Sequence, residues 1–224
     1  MGWRKDTRRE GYHHGNLKEA LQEAAMRLIA EKGPGGFSFA DAARLVGVSP
    51  AAPYRHFRDR DELLASIAQR GFEQFEATLN AAWDEGRPDT PTAFGRLGPA
   101  YLAFARNEPA LYSAMFESGV PVHLNPHLTA ASERAFSIIR AASERLVAIT
   151  PPGVTKPPAL MMALHIWSLS HGIASLFSRG DSARRPLPMS AEDLLEAGVL
   201  IYLKGLGFPT DFHRHDPPKS GKSG

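Results

Sequence analysis

The sequence has no cysteine, which excludes disulfide bridges, thiolate metal sites and a cysteine nucleophile. This absence fits a protein of the reducing cytoplasm. The basic residues 1–10 are not followed by an apolar run, so we expect no secretory signal there. The signatures Gly-x-Ser-x-Gly and His-Glu-x-x-His are also missing, and no pair of carboxylates points to a shared buried site. We therefore expect no enzymatic activity.

Nothing in the sequence predicts a bound cofactor or a metal ion. The C-terminal GKSG resembles part of a phosphate-binding loop, but that motif needs a preceding strand and a glycine where this chain has Asp216. The pair His13-His14 and the run His213-x-His215-Asp216 contain metal-ligating residue types. Both lie in segments that we expect to lack a rigid scaffold, so we predict no metal site.

An excess of charge of one sign is also missing over the whole chain, whose net charge is +2. Residues 1–60 nevertheless hold eleven Lys and Arg against seven Asp and Glu, which is a local excess of four, and the remainder carries −2. A basic N-terminal part favours a polyanion as partner. An ordinary solvated surface has the same composition, so charge alone does not decide between the two.

One long run has no charged residue at all. Residues 157–178 contain no Asp, Glu, Lys or Arg, and the run is long enough to cross a bilayer. It includes His165, His171 and four serines, however, and no other segment of the chain resembles it. These polar residues favour a helix buried on nearly every side over a membrane span, so we expect no membrane partner.

The period of two that is typical of strands is absent, and almost every segment has the helical period. Proline and glycine breakers separate these segments. The sequence therefore predicts an all-α protein. Beyond residue 60 the predicted helices cover 61–85, 93–106, 108–118, 126–148, 158–178 and 190–206, and a loose polar tail follows at 209–224.

Three shorter helices are predicted before residue 60. An apolar stripe at 17–28 marks the first helix, which the glycines at 33–36 end. Ser38 and Asp41 form a capping box for the second helix. Gly47 supplies the left-handed turn that stops this helix and leads to the third.

The segment GVSPAAPYRHF, residues 47–57, predicts a very short third helix. Ser49 is the expected N-cap, with Pro50 at the first helical position, where a missing N–H costs nothing. Pro53 predicts a tight or irregular first turn, because it cannot donate a regular i→i−4 hydrogen bond. The expected core residues are Val48, Pro53 and Phe57, and the expected outward residues are Ala51, Ala52, Tyr54, Arg55 and His56.

Three short helices with a tight glycine turn between the second and third describe a helix-turn-helix. Such a turn holds the third helix at a steep angle to the second, so that it can enter the major groove of DNA. The small side chains of Ala51 and Ala52 permit close approach to base edges and contact with a thymine methyl group. Tyr54 and His56 can donate to phosphate oxygens, and Arg55 can reach phosphate or guanine.

The stretch FSFADAARLVGVSPAAPYRHFRDRDELL, residues 37–64, resembles the DNA-binding domain of TetR-type (TetR/AcrR) transcriptional regulators. In that family a Gly-Val-Ser turn leads to a recognition helix ending in Tyr-x-His-Phe, as at 47–57 here. Pro53 departs from the frequent aliphatic residue, and Arg60 from the common lysine, which keeps the charge but changes its geometry. The DNA-contacting residues that the resemblance implies are Ser38, Ser49, Ala51, Ala52, Tyr54, Arg55, His56 and Arg60.

A basic arm precedes the first helix and comprises Arg4, Lys5, Arg8 and Arg9. We expect it either to follow the phosphates or to enter the minor groove, as N-terminal arms do in other helix-turn-helix proteins. A polar terminus without contacts is the alternative.

The remainder of the chain resembles the family in outline, as an all-helical effector-binding and dimerisation domain. WSLSHG at 167–172 resembles the W-x-x-x-H-G signature of a WHG-like C-terminal domain in one TetR branch, which GYHHGNL at 11–17 also suits. The domains implied are 1–60 for DNA binding and 61–208 for effector and partner, with the flexible tail at 209–224. Candidate ligand-binding residues are Phe104, Tyr112, Met115, Phe116, Trp167 and His171. The aromatic residues also fit a plain core, and His171 also fits a structural hydrogen bond.

The function implied is a cytoplasmic repressor that binds an inverted-repeat operator in double-stranded DNA as a homodimer. A small-molecule effector would relieve repression by tilting the helix at 61–85. The alternative is a helical ligand-binding or scaffold protein whose helix-turn-helix reads no specific site. The last two helices are the expected dimer interface, with small residues Ala174, Ala197, Gly198 and Gly205 and apolar residues Leu194, Leu195, Leu200 and Leu203.

Overall fold

The computed structural model describes residues 17–177 and 188–208, and over these residues every regular element is a helix. The α-helices are α1 (Leu17–Lys32), α2 (Phe39–Val46), α3 (Arg60–Trp83), α4 (Thr90–Asn107), α5 (Pro109–Phe116), α6 (Pro126–Ala148), α7 (Ala159–Phe177) and α8 (Ala191–Gly205). Short 3₁₀ helices lie at Ala52–Arg55, Asp84–Gly86 and Val122–Leu124. The all-α prediction is confirmed. The basic arm, both histidine-containing terminal runs and the tail from residue 209 lie outside the described residues.

Side-chain caps explain where two of the later helices begin. Asp89 accepts a hydrogen bond from the backbone N–H of Thr92 at 2.8 Å and so caps α4. This bond lowers the pKa of the Asp89 carboxyl. Ser190 and Asp193 form a capping box at the start of α8, in which the Asp193 N–H donates to the Ser190 hydroxyl at 3.0 Å. Each cap satisfies backbone donors that the first helical turn leaves unpaired.

The described chain divides into two compact units. The first combines residues 17–71 with 110–128, and the second combines residues 72–109 with 129–177 and 188–208. The first unit therefore contains α1, α2, the 3₁₀ helix at Ala52–Arg55 and nearly all of α5. The second contains α4, α7, α8 and nearly all of α6, and the division falls within α3.

In the first unit, α1 packs against α2 around a small apolar core. The buried stripe of α1 comprises Leu21, Ala24, Ala25, Leu28 and Ile29. Two polar contacts tie α1 to the first turns of α3. The Gln22 side-chain amide donates to the Ser66 hydroxyl at 3.0 Å, and Arg70 pairs with Glu23 at 2.6 Å.

In the second unit, α4 packs against α7 and α8, which also pack against each other. Glycines allow these helices to approach closely. A Cβ at Gly98 of α4 would lie 2.8 Å from Cδ2 of Leu195, and a Cβ at Gly198 of α8 would lie 2.8 Å from Cδ2 of Leu169. The buried face of α8 comprises Leu195, Val199 and Leu203.

This packing corrects part of the predicted dimer interface. Leu195, Leu203 and Ala174 are buried inside the chain, and Gly198 makes room for a helix of the same chain. Sequence periodicity finds the apolar residues of a helix but does not say which side of it faces its own chain. Of the predicted residues, Ala197 and Gly205 are exposed, and Leu194 and Leu200 are half-buried.

Among the described residues, α7 is the one helix whose length and composition would allow it to cross a membrane. Only 33% of the most apolar stretch of this helix is buried within the chain. The expectation of burial on nearly every side is therefore wrong for a single chain, because the side away from the helices of its own chain stays exposed. The large apolar side chains exposed on α7 are Leu160, Met161, Leu164 and Leu176. A single helix of this kind is also typical of soluble proteins.

Candidate nucleic-acid interface

The second helix of the helix-turn-helix begins with the predicted capping box. The backbone N–H of Ser38 donates to the Asp41 carboxylate at 2.9 Å, and the Asp41 N–H donates to the Ser38 hydroxyl at 3.3 Å. The Ser38 hydroxyl also donates to the Asp41 carboxylate, at 2.7 Å, and this bond contributes most to lowering the pKa of Asp41. Arg44 pairs with the other carboxylate oxygen at 2.8 Å. Ser38 remains exposed.

The turn after α2 is made by Gly47, as predicted. Its φ of 78° lies in the left-handed region, and its N–H donates to the carbonyls of Ala43 and Arg44. The N–H of Val48 then donates to the Ala43 carbonyl at 3.0 Å. These bonds satisfy the last carbonyls of α2 and redirect the chain sharply.

The third helix is shorter than predicted and of a different type. It is a single 3₁₀ turn at Ala52–Arg55, its N-cap is Ala51, and that cap makes no side-chain hydrogen bond. The predicted cap at Ser49 is therefore wrong. An α-helical bond to the Ser49 carbonyl would have to come from Pro53, which has no N–H. The Ala52 N–H donates to that carbonyl instead, at 2.9 Å, so the tight first turn expected from Pro53 is confirmed.

Two buried residues anchor this short turn from below. Pro53 and Phe57 are buried, as predicted, whereas Val48 is only half-buried. The carbonyl of Pro53 accepts from the N–H groups of His56 and Phe57 at 2.9 and 3.0 Å. The turn is thus held by its contacts with the first unit's core more than by its own few hydrogen bonds.

The opposite side of the turn is open. Ala51, Tyr54, Arg55 and His56 are exposed, and Ala52 is half-buried. The Tyr54 side chain is 62% exposed, yet its ring is fixed edge-on against Phe39 of α2, with centroids 5.0 Å apart. Within the described residues, no carboxylate lies within ion-pairing distance of Arg55.

The helix after the turn starts at a cap built from three consecutive polar contacts. The Glu62 N–H donates to the Asp59 carboxylate at 2.8 Å, which caps α3 and is the largest cause lowering the pKa of Asp59. The reciprocal half of a capping box does not form, because the Glu62 carboxylate accepts from the N–H of Arg58, at 2.6 Å. The Arg58 side chain pairs with Asp59 at 2.9 Å, and this contact raises the pKa of Arg58.

Arg60 makes contacts that the sequence reasoning missed. Its Nε donates to the carbonyl of Phe37 at 3.0 Å, and Nη2 donates to the carbonyl of Pro34. The guanidinium lies over the Phe37 ring, 5.0 Å from its centroid, and also approaches Asp61 at 3.7 Å. Its side chain is 30% exposed. The role as a DNA contact stays a prediction for Arg60, but the guanidinium is already engaged within the protein.

The exposed side of the turn is suited to a duplex groove. Small side chains at 51 and 52 leave room for base edges, and an alanine methyl can contact a thymine methyl. The hydroxyl of Tyr54, the imidazole of His56 and the guanidinium of Arg55 are donors for phosphate or base atoms. The arrangement supplies hydrogen-bond donors and the positive charge of Arg55.

The six candidate ligand-binding residues are divided between the two units. Phe104, Trp167 and His171 lie in the second unit, whereas Tyr112, Met115 and Phe116 lie on α5 in the first. In the first unit the rings of Tyr112 and Phe116 pack with centroids 4.9 Å apart. Whether any of the six binds a ligand stays a prediction.

In the second unit, two residues that the sequence reasoning did not select gather the aromatic side chains. Phe75 packs against Phe104 and Tyr101, with ring centroids 5.0 Å apart in each pair, and Tyr101 packs edge-on against Trp167 at 5.9 Å. The Tyr101 hydroxyl and Nδ1 of His171 are hydrogen bonded at 3.0 Å. The apolar period of α4, which brings Tyr101 to the same face as Leu97 and Phe104, is the signal that could have found it.

The other histidine of α7 has a different environment. His165 is exposed, and its Nδ1 is hydrogen bonded to the Tyr202 hydroxyl of α8 at 3.2 Å. Partial burial raises the pKa of Tyr202. His165 lies on the open side of α7 and not in the core, and its hydrogen bond to Tyr202 links α7 to α8. In the described ranges there is no group of three or more potential metal ligands.

Two family models match the chain. The model "Bacterial regulatory proteins, tetR family" matches residues 21–67, and "Tetracyclin repressor-like, C-terminal domain" matches residues 94–201. Together they cover more than half of the sequence. A curated relative, an uncharacterized HTH-type transcriptional regulator of Haemophilus influenzae, is 36% identical over 73 residues, which are 33% of this chain and 39% of that protein. The chain therefore matches well under two thirds of that relative's length.

Solved structures match over most of the chain. A protein of unknown function from Rhodococcus sp. RHA1 is 27% identical, with a TM-score of 0.72 over 88% of this chain and 98% of that one. The TetR family transcriptional regulator PfmR from Thermus thermophilus has the same fold, with 24% identity and a TM-score of 0.64 over 83% of this chain and 98% of its own. The family models and the helix-turn-helix geometry agree, and the chain belongs to the TetR family of bacterial regulatory proteins.

Proposed function

We propose that this protein is a cytoplasmic transcriptional regulator that binds a specific site in double-stranded DNA. The observation that carries the proposal is the open side of the turn at 51–56. It presents two small residues and three polar donors, and buried Pro53 and Phe57 fix it from below. Arg55 is exposed with no intramolecular ion pair in the described part of the chain, so its guanidinium needs no rearrangement to bind guanine or phosphate.

The regulator acts as a homodimer. One recognition turn contacts few base pairs, and a twofold pair about one DNA turn apart (~34–36 Å) reads an inverted repeat. The exposed, uncharged side of α7 supports this, together with Ile201 of α8, whose side chain is 69% exposed. Large apolar side chains exposed on two helices that pack together are typical of an interface, and a second copy would cover them with the same surface.

A small molecule relieves repression. The aromatic residues around Phe75 in the second unit provide apolar contacts, and His171 with Tyr101 provides polar atoms, which is the mixture that ligand sites use. The effector prefers the state that does not bind DNA. A coupling free energy of about 1–3 kcal/mol changes the DNA affinity roughly 5- to 150-fold.

Selection of genomic fragments by the purified full chain tests the proposal, followed by footprinting of the recovered fragments. A specific regulator protects an inverted repeat and recovers the same site repeatedly. Recovery of fragments without a shared sequence, or no protection at any of them, would contradict the proposal and favour a helical ligand-binding or scaffold protein.

A further inference from the structure

The α1–α2 loop, residues 33–38, is held to the start of α3 by one side chain. Arg60 donates from Nε to the Phe37 carbonyl at 3.0 Å and from Nη2 to the Pro34 carbonyl. Its guanidinium also covers the Phe37 ring at 5.0 Å. We infer that Arg60 is a positioning residue, which sets the place of α2 through this loop and does not act as a phosphate contact. The inference rests on the proposed DNA-binding function.

The contacts of Arg60 use the planar shape of its side chain. A guanidinium offers donors in a fixed fork and a flat face that stacks on an aromatic ring, and Arg60 uses both at once. Its two short contacts are to backbone carbonyls, and the one carboxylate beside it within the described residues, that of Asp61, lies farther away at 3.7 Å. The Arg60 side chain is only 30% exposed.

The position of the loop determines the start of α2. Phe37, whose carbonyl Arg60 binds, directly precedes Ser38, which is the N-cap of α2. The Phe37 side chain is itself buried, with 6% exposed. The left-handed turn at the end of α2 leads directly into segment 51–56. A shift of the α1–α2 loop would therefore move α2 and, with it, the exposed side of segment 51–56. Arg60 therefore acts on DNA affinity through α2.

Lysine is the discriminating substitution at this position. An ammonium group keeps the charge and reaches a phosphate as a point charge, but it cannot bind two carbonyls in a plane and cover a ring as well. A phosphate contact would therefore survive Arg60→Lys, whereas the positioning contact would not. Arg60→Gln removes the charge. Loss of a phosphate contact would lower the salt dependence of DNA binding, whereas loss of a positioning contact would not.

The experiment measures binding of the fluorescent duplex selected by the wild-type protein, at several salt concentrations, for wild type, Arg60→Lys and Arg60→Gln. We expect both variants to bind about tenfold more weakly, because each loses hydrogen bonds made by a charged donor. We expect the slope of log affinity against log salt to stay that of wild type, whereas loss of one phosphate contact reduces it by about 0.9. Wild-type affinity in Arg60→Lys, or a reduced slope in Arg60→Gln alone, overturns the inference.

Amide hydrogen exchange of the DNA-free protein provides a second reading that does not depend on an operator. Residues 33–39 should exchange faster in Arg60→Lys than in wild type. Arg58→Lys is the matched control, because Arg58 is exposed and pairs with Asp59 rather than with the loop. Unchanged exchange in Arg60→Lys contradicts the positioning contact. Loss of the folded state in Arg60→Lys also overturns it, since the residue would then stabilise the fold as a whole. If the wild-type protein selects no duplex, the proposed function fails while this exchange test still decides the role of Arg60.

Discussion

At the scale of residues, arginines that look alike in the sequence are used differently. Arg44 and Arg58 pair with neighbouring carboxylates, Arg60 binds backbone carbonyls, and Arg55 has no such partner within residues 17–177 and 188–208. The sequence predicts a basic helix-turn-helix but not this division, because the partner of Arg60 is 23 residues away. Burial of Pro53 and Phe57 was predictable from the sequence. Because these two residues face the core, the side chains of Tyr54, Arg55 and His56 are left on the exposed side of the turn.

Replacing Arg55 by Gln should weaken binding to the selected duplex about tenfold, since a good arginine contact to guanine contributes about 1–3 kcal/mol. If Arg55 contacts phosphate instead, the salt slope should also fall by about 0.9. Fluorescence anisotropy at several salt concentrations measures both. Arg106→Gln is the matched control, because this exposed arginine of α4 is paired with Glu192. Equal affinities for Arg55→Gln and wild type would remove Arg55 from the interface.

Replacing Tyr101 by Phe should lower the free energy of unfolding of the ligand-free protein by about 1 kcal/mol, because Nδ1 of His171 loses its hydrogen bond. Denaturant unfolding followed by circular dichroism measures the change. Tyr54→Phe is the control, since Tyr54 is exposed and its hydroxyl makes no hydrogen bond within the described residues. A loss as small as that of the control would show that the Tyr101–His171 bond has no structural role.

At the scale of elements, helix bounds were predictable wherever a cap or breaker specifies them. Ser38 and Gly47 act as the sequence indicates. The third helix is a 3₁₀ turn and not an α-helix, because Pro53 lacks the N–H on which an α-helical first turn depends. The end of α3 lies two residues before the predicted end at 85. Asp84 and Glu85 adopt positive φ without being glycine. The neighbouring Arg87 supports this turn, since its N–H donates to the Asp84 carbonyl at 2.9 Å, and the distant Arg145 donates to the Glu85 carbonyl at 2.6 Å.

In the first unit, Gly71 allows α3 to pack closely against α5, and we expect a larger residue there to destabilise the protein. A Cβ at Gly71 would lie 2.6 Å from Sδ of Met115 and 2.8 Å from its Cγ. Met115 is buried, so Gly71→Ala should destabilise the protein by about 1 kcal/mol or more through overpacking. Gly95→Ala in α4 is the control, where a Cβ meets nothing within 4 Å, and it should stabilise by about 0.5–1 kcal/mol. Denaturant unfolding of both variants checks the sign, and a stabilised Gly71→Ala would contradict the close approach.

At the scale of the whole molecule, the sequence predicted an all-α regulator but not how its helices are divided. Local patterns do not carry the long-range contacts that place most of α5 in the same unit as the helix-turn-helix. For the same reason the candidate ligand-binding residues, chosen for their type and spacing, fall in both units. The exposed side of α7 was taken for a buried one because an apolar sequence does not show which side of a helix its own chain covers.

The proposed dimer makes a prediction that a single charge tests. Ile201→Glu should convert the dimer to a monomer, because it places a carboxylate in an apolar interface. Leu124→Glu is the matched control, since Leu124 is 71% exposed and belongs to the first unit, whereas α7 and α8 belong to the second. Analytical ultracentrifugation over a range of concentrations measures the mass. A dimer that survives Ile201→Glu unchanged would place the interface elsewhere.

The most direct measurement compares the affinity of the wild-type protein for two duplexes at one physiological salt concentration. One duplex carries the inverted repeat recovered by selection, and the other has the same base composition in scrambled order. We expect the repeat to be bound about 10³-fold more tightly or better, which is the range of specific DNA-binding proteins. Equal affinity for the two duplexes would contradict it, because segment 51–56 would then bind DNA without reading a sequence.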